Sequence, residues 1–413
     1  MKKRFLVPFV CILILTQQTA SAIAEWTVLT YIQADSNLAP YAYTNINDMQ
    51  KVGSTSNVNI IVQWDQPNNN KTWRYKINKG SRTEVGSLNT EMGHQPAQEL
   101  ITSLQWIKAN YPAKKYALIL WDHGMGVLDR SQNNTVPSHS WLTLPGHNNV
   151  PHNNERGILY DYTQGTFLNN PDLLTVVQQA QSILGQKLDI LGMDACLMAM
   201  LEIATQVKDN ANYLVSSEET IPGYGWPYSQ FLAPLVANPK QSALTLSQRM
   251  VTAYKNYYKK VDSATTLSSI DLSKVAALNT ALNNVVQAIS NIAQNNPVEM
   301  QNMITAAYAQ STSFAISSYI DLYTFFSKLS LQAKAYRAQN KAPRINVTPL
   351  QTALTAGMKA ITNAVVANGT GSAYPNAKGI SIYFPTALPL GPGYNATTFY
   401  QQSQWINFLN TYA

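Results

Sequence analysis

Apolar residues along this chain gather into short, nearly unbroken runs separated by stretches of helical period. The runs at 26–34 (WTVLTYIQA), 58–64 (VNIIVQW), 116–121 (YALILW), 188–193 (LDILGM), 213–216 (YLVS) and 379–384 (GISIYF) have strand length and are rich in β-branched and aromatic residues. Continuous hydrophobicity, as opposed to alternation, predicts strands covered on both faces, as in a parallel or mostly parallel sheet. Between the runs, Leu100, Leu104 and Ile107 fall at i, i+4 and i+7 in a segment opening at Pro96. Leu173, Val177, Ala180 and Leu184 repeat that period after Asn170-Pro171, a pairing that predicts a helix start with Asn170 as its cap. This alternation predicts an α/β fold, three αβα layers around a mostly parallel central sheet. From about residue 239 to 370 the chain turns rich in Ala and Gln, which predicts a mainly helical C-terminal part. The run at 379–384 and a helical stretch at 399–412 close the chain, the late strand packing on the core.

The first 24 residues do not fit this pattern. Lys2, Lys3 and Arg4 precede an apolar stretch at 5–15, and Ala20-Ser21-Ala22 and Ala22-Ile23-Ala24 follow as small-residue cleavage patterns. That arrangement predicts a signal peptide over 1–24 and an exported protein, secreted or periplasmic. A membrane anchor needs about 20 apolar residues, and no later segment is apolar enough to span, so no membrane association is expected after cleavage. The rest divides at the composition shift into 25–238, rich in strands, and 239–413, mainly helical.

Composition narrows the function classes. Of 413 residues 45% are hydrophobic and 12% charged, against roughly 25% charged in typical soluble domains. Low charge with ample apolar content excludes a disordered chain. Lys2, Lys3 and Arg4 leave with the signal peptide and take the formal charge from +7 to +4, with no dense basic run elsewhere. A nucleic-acid partner is therefore not expected. Cys11 leaves as well, and Cys196 remains alone. Exported proteins usually pair their cysteines, so a lone thiol is an intermolecular bridge, an inert buried residue or a nucleophile.

Two strand ends carry reactive side chains. The run at 116–121 leads into Asp122-His123-Gly124-Met125-Gly126, and that at 188–193 into Asp194-Ala195-Cys196-Leu197-Met198. Ligands of open α/β sheets bind beyond the carboxyl ends of strands, so His123 and Cys196 are a candidate dyad for nucleophilic chemistry. Taken singly, Cys196 reads as a small buried apolar residue and His123 as a turn residue. Glycines on both sides of Met125 allow close backbone approach, which makes the amides of Gly124 and Cys196 candidate oxyanion donors. Asp194, two residues before Cys196, points to the same side of an extended strand. It is a candidate to bind a basic substrate side chain, or else to cap a helix beginning near Leu197. Glu218 and Glu219, at the end of the next strand, are second-rank candidates for the same pocket. His94, His139, His147 and His152 have loop settings and match no zinc spacing.

These residues carry a family resemblance. The stretch 188–228, LDILGMDACLMAMLEIATQVKDNANYLVSSEETIPGYGWPY, closely resembles the clostripain family of secreted cysteine peptidases, and ALILWDHGMG resembles its histidine motif. WTVLTYIQADSNL and GISIYFP are similar to recurrent segments of that family, so the likeness covers nearly all of the chain from Trp26 onward. The resemblance implies a caspase–haemoglobinase-like fold and an endopeptidase that cuts after basic residues. It implies His123 as the catalytic histidine, Cys196 as the nucleophile and Asp194 as the acid tied to basic-residue specificity. Protein or peptide substrates are the implied partners; no cofactor is implied with certainty, and calcium dependence stays open. The Asn-rich segment 127–157 departs from a compact family core, and Arg130 and Arg156 bracket it as candidate self-cleavage points. Two rival readings are an exported cysteine amidase of cell-wall substrates and a catalytically silent binding protein on the same fold. The WDHG and DAC motifs favour catalysis, and Asp194 favours a basic peptide.

Overall fold

Residues that are apolar on two opposite faces can be satisfied only in the middle layer of three, and that is where the predicted strands lie. The computed structural model describes residues 23–67, 70–127, 157–339, 344–386, 388, 390 and 392–412. Its strands are β1 (Ala24–Ile32), β2 (Val58–Trp64), β3 (Thr72–Asn78), β4 (Ser81–Leu88), β5 (Ala113–Trp121), β6 (Gly157–Asp161) and β7 (Thr166–Asn169). They continue with β8 (Leu188–Asp194), β9 (Ala211–Ser216), β10 (Thr266–Asp271), β11 (Tyr319–Asp321), β12 (Val365–Thr370) and β13 (Ser381–Tyr383). Nine of these form one sheet in the order β12-β10-β9-β8-β5-β1-β2-β3-β4. The middle five, β2, β1, β5, β8 and β9, are parallel, and the outer pairs are antiparallel.

Alternate residues of the parallel strands feed two separate cores. Val28, Ile32, Ile119 and Ile190 pack on one face with the helices Ala39–Gln50, Tyr228–Ala237 and Ala243–Tyr258. Leu29, Leu118, Leu120 and Leu191 pack on the other with Pro96–Asn110, Asn170–Leu184 and the C-terminal helices, among them Val275–Ala293. The expected αβα layering follows from this two-sided burial. Ile32 pairs with Trp121, and Trp121 with Asp194, so the carboxyl ends of β1, β5 and β8 lie level.

Several local features differ from the sequence reading. The cap of helix Asn170–Leu184 is Asn169, whose side chain accepts the Asp172 N–H. Asn170 is the first helical residue, and its amide group turns inward to donate to the Gly126 carbonyl at 3.2 Å. Of the run at 379–384 only Ser381–Tyr383 forms a strand, and it pairs with β11 in a two-stranded ribbon outside the main sheet. The C-terminal part also supplies β10 and β12 to the main sheet, so that sheet crosses residue 238. No described helix is long and apolar enough to cross a membrane. Residues 1–22 of the expected signal peptide 1–24, and the segment 128–156 with Arg130, His139, His147, His152 and Arg156, lie outside the described residues.

Candidate active site

The sheet changes its winding direction between β1 and β5. From β1 the chain moves outward to β2, whereas β5, β8 and β9 follow one another on the opposite side. Loops leaving neighbouring strand ends diverge at such a point and open a crevice. Here the crevice is a cleft of about 320 Å³. Asn37 reaches it from the loop after β1, His123 from the loop after β5, and Cys196 from the loop after β8. Asp194, Trp121 and the loop from Thr220 to Gly225 complete much of its wall.

His123 is held at its ring nitrogen Nε2 and on its face. Its Nε2 lies 2.7 Å from Asn37 Oδ1; a carboxamide oxygen only accepts, so Nε2 carries the proton and Nδ1 is the basic nitrogen. The Tyr162 ring stacks on the imidazole at 6.0 Å, with 11° between the planes. Burial pushes the His123 pKa down to about 3, so the ring is neutral in the resting protein. Asp122, also buried, accepts the Ser36 hydroxyl at 3.1 Å and the Tyr160 N–H. That one carboxyl ties the loop after β1 and strand β6 to the end of β5. Burial drives its pKa well upward.

Cys196 sits on a strained turn. Leu197 adopts φ 65°, a left-handed backbone that non-glycine residues rarely take. Such a conformation costs on the order of 1–3 kcal/mol and persists only where surroundings enforce it. Enforcement comes from β9 and the loop beyond it, because Leu197 N–H donates to the Glu219 carbonyl and Ala199 N–H to that of Ser217. Cys196 Sγ accepts the Ile221 N–H at 3.2 Å. The histidine and cysteine loops touch directly, since a Cβ placed on Gly124 would stand 2.6 Å from the Cys196 carbonyl oxygen. Gly124 bridges Ile158 through flanking bonds, Met125 N–H to Gly157 and Leu159 N–H to the His123 carbonyl. This pattern leaves the Gly124 amide outside the bridge.

Asp194 faces the same cleft. Its Oδ2 accepts the Trp226 N–H at 3.0 Å and the Tyr228 hydroxyl at 2.9 Å. Its Oδ1 is buried with no hydrogen-bond partner among the described residues. Burial raises its pKa to about 7. It caps no helix, because the next one begins at Leu201. Glu218 and Glu219 do not line the cleft. Glu218 accepts the Gly379 N–H at 2.9 Å, and Glu219 accepts the Ala315 N–H at 2.9 Å and the Tyr374 hydroxyl. Both are buried, which raises their pKa values, and they join the end of β9 to the C-terminal part.

The open question of calcium has a structural counterpart. Among the described residues, Asp35, Glu91 and Asp161 bring ligand atoms within 4.8 Å of one another. All three are buried carboxylates, and Asp35 Oδ2 has no hydrogen-bond partner among the described residues. An all-oxygen anionic set fits a hard divalent cation.

The sequence model of the clostripain family, peptidase family C11, matches residues 30–412. The chain belongs to the clostripain family of cysteine peptidases. Clostripain of Hathewaya histolytica is 26% identical over 233 residues, which are 49% of this chain and 41% of clostripain. The chain thus spans about two-fifths of the length of that relative. A secreted C11 cysteine protease from Bacteroides thetaiotaomicron, solved with an irreversible peptide inhibitor, superposes with a TM-score of 0.63 at 19% identity, over 93% of this chain and 100% of that one. An inactive zymogen C11 protease from Parabacteroides distasonis gives 0.61 at 19% identity, over 92% and 98%. At these identities the solved structures establish the shared C11 fold, which is the α/β architecture expected from the strand pattern.

Within this family framework, the sequence motifs of His123, Cys196 and Asp194 converge on one cleft. Asn37, Asp122, Tyr162 and Ile221 were not singled out by sequence. Asp122 carried one usable signal, a polar residue at the carboxyl end of an apolar strand.

Proposed function

We propose that this protein is an exported cysteine endopeptidase that cuts peptide chains after Arg or Lys by acyl transfer at a Cys196–His123 dyad. The observation that carries the reading is the meeting of the Cys196 and His123 loops on one cleft that also holds a buried carboxylate oxygen of Asp194. A neutral imidazole is the form able to take a proton. His123 accepts the thiol proton as Cys196 Sγ attacks the scissile carbonyl carbon, and the negative charge moves to the carbonyl oxygen. The amides of Gly124 and Cys196 hold that oxygen. Collapse breaks the C–N bond, and the amine leaves with the proton from His123, which gives a thioester on Cys196. Water then attacks the thioester, His123 removes and returns its proton, and the carboxylic acid departs from the restored thiol.

Specificity for a basic side chain rests on Asp194. Oδ2 is anchored to the loop at Trp226 and Tyr228, which leaves Oδ1 to meet a guanidinium or ammonium group entering the cleft. Export rests on the N-terminal charge and cleavage pattern, and the Bacteroides thetaiotaomicron relative is described as secreted. The deciding experiment is turnover of fluorogenic peptides ending in Arg, Lys or a neutral residue. Cys196→Ala should lose activity by several orders of magnitude with an unchanged melting temperature. Substantial turnover by the pure, folded variant would rule out the thiol mechanism.

A further inference from the structure

Strand β6 departs from regular pairing with β7 at one point. Ile158 lies opposite Leu168 and Asp161 opposite Thr166, so Leu159 and Tyr160 together face the single residue Phe167. One extra residue on one strand is a β-bulge, and bulges gather beside active sites, where they re-aim groups of the chain. The first bulge residue, Leu159, adopts φ 65°. Glycine is the ordinary occupant of a left-handed place in a bulge. A leucine there keeps a strained backbone, which persists only where the surroundings enforce it. Enforcement comes from its side chain, buried in the core that also holds Val127, Ile158 and Leu168.

The bulge turns two successive N–H groups toward one partner. In a regular strand neighbouring N–H groups point to opposite edges. Here the Leu159 N–H donates to the His123 carbonyl at 3.2 Å, and the Tyr160 N–H donates to Asp122 Oδ2. The His123 carbonyl belongs to the same peptide unit as the Gly124 N–H. That unit is planar and trans, so its two polar groups point in opposite directions. With the carbonyl tied to Leu159, the Gly124 N–H is turned away from β6. The units that follow are fixed as well. Met125 N–H donates to the Gly157 carbonyl at 3.1 Å, and the Met125 carbonyl accepts the Tyr319 hydroxyl at 2.6 Å. A glycine has no side chain to hold its own orientation, so the direction of the Gly124 amide is set by these neighbours.

We propose that Leu159 is a positioning residue, whose left-handed backbone aims the Gly124 amide at the oxyanion formed when Cys196 attacks the scissile carbonyl. Leu159 touches neither the substrate nor the reacting atoms. It acts through the His123–Gly124 peptide unit, and its effect is felt only once charge reaches the carbonyl oxygen. This role presupposes the acyl transfer at Cys196 proposed above, and it names the residue that orients one donor of the oxyanion site. The same bond could instead serve the imidazole, because its acceptor is the backbone of His123. The two roles differ in what they do to the thiol, since only a displaced imidazole would slow every reaction of Cys196.

The test replaces Leu159 by its α-hydroxy analogue through nonsense suppression, which exchanges the N–H for an ester oxygen and keeps the side chain. Three quantities are compared with the parent protein: kcat/KM for a basic fluorogenic peptide, affinity for the matching peptide aldehyde, and the rate of Cys196 alkylation by iodoacetamide. An aldehyde captured by the thiol presents its oxygen to the oxyanion site, whereas alkylation forms no oxyanion. The ester should lower kcat/KM and aldehyde affinity alike, by about tenfold to a hundredfold, and leave alkylation within about twofold. A matching fall in alkylation would show that the bond serves the imidazole, and unchanged aldehyde affinity would show that Gly124 is aimed without it. Either result overturns the role of Leu159. A crystal structure of the parent protein with the aldehyde checks the same point without any variant. The hemithioacetal oxygen should lie within about 3.2 Å of the Gly124 nitrogen, with the Leu159 bond to His123 intact, and an oxygen directed elsewhere would overturn the role as well. The parent also separates the two levels of the proposal. If it neither turns over peptides nor captures the aldehyde, acyl transfer at Cys196 is refuted and the role of Leu159 falls with it.

Discussion

The hydrogen bond from His123 Nε2 to Asn37 Oδ1 decides which imidazole nitrogen is basic, and that choice precedes any chemistry at Cys196. Asn37 acts through His123, so it is a positioning residue. Asn37→Ala should lower kcat by about 10²-fold and leave KM within about threefold, because tautomer and ring angle are lost while the substrate cleft is kept. Steady-state kinetics on one basic peptide separates these, and a change confined to KM would count against the role. Asp194 lends itself to a sharper test. Its proton is retained to about pH 7 through burial, so the carboxylate that pairs with Arg or Lys forms only above that pH. The kcat/KM for basic peptides should therefore rise through about pH 7 beyond any rise seen with neutral peptides, and Asp194→Asn should abolish the difference. Asp194→Ala should cost basic peptides about two orders of magnitude, corresponding to roughly 2–5 kcal/mol for one side of a buried charge pair. Equal losses for basic and neutral peptides would make Asp194 a scaffold residue. The stability effect has the opposite sign. A folded pKa near 7 against 3.8 unfolded means the native state keeps a proton the unfolded chain has lost, so this group's contribution to stability declines as pH rises from about 4 to 7.

At the scale of elements, the site exists because two strand-end turns press against each other. Gly124 has no left-handed backbone to protect, so its glycine is explained by space alone, since an added Cβ would stand 2.6 Å from the Cys196 carbonyl oxygen. Gly124→Ala should then push the two turns apart. The expected outcome is a loss of stability of about 1–3 kcal/mol, typical of overpacking, with kcat/KM falling by about 10²-fold or more as the candidate oxyanion amides separate. An active Gly124→Ala enzyme with unchanged melting would show that the two turns do not need this approach. The elements that make this contact were legible in the sequence because β5 and β8 are buried on both faces and so read as unbroken apolar runs. Strands with other environments were not. β3 is only partly buried and carries the buried Arg74, and β4, the edge strand, is largely exposed and polar, so neither shows an unbroken apolar run. β10 is lined by buried serines, Ser268 and Ser269, whose hydroxyls bond to the Gly379 carbonyl and the Ser247 hydroxyl, so its sequence TLSSID carries no hydrophobic run. Asn37, Asp35, Glu91 and Asp161 were illegible for another reason. The first three are single polar residues in loops and Asp161 ends the short strand β6, and only the tertiary fold brings them together.

For the whole molecule, the composition shift near residue 239 does not coincide with a break in packing. β10 covers the outer edge of β9, and β12 covers β10. The carboxyls on the 25–238 side reach across as well. Glu202 accepts the Tyr383 N–H at 2.9 Å, Glu218 that of Gly379 at 2.9 Å, and Glu219 that of Ala315 at 2.9 Å. β13 closes the seam beneath the nucleophile loop, where Ser381 N–H donates to the Ala199 carbonyl at 2.9 Å. Removing residues 239–413 would uncover a sheet edge, strip three buried carboxyls of partners and take away Thr266, whose hydroxyl accepts the Glu218 and Glu219 N–H groups and so steadies the segment that holds Leu197 in its strained backbone. We therefore predict that residues 23–238 expressed alone form no cooperatively folded unit, and that co-expression with 239–413 restores a single thermal transition. The strain at Leu197 adds a kinetic consequence: in the rejoined pair, alkylation of Cys196 by a basic peptide probe should return together with the transition and not before it. A fragment 23–238 that melts cooperatively near the full chain, or that takes up the probe alone, would show that the two parts are separable domains and that the C-terminal part is dispensable for the site.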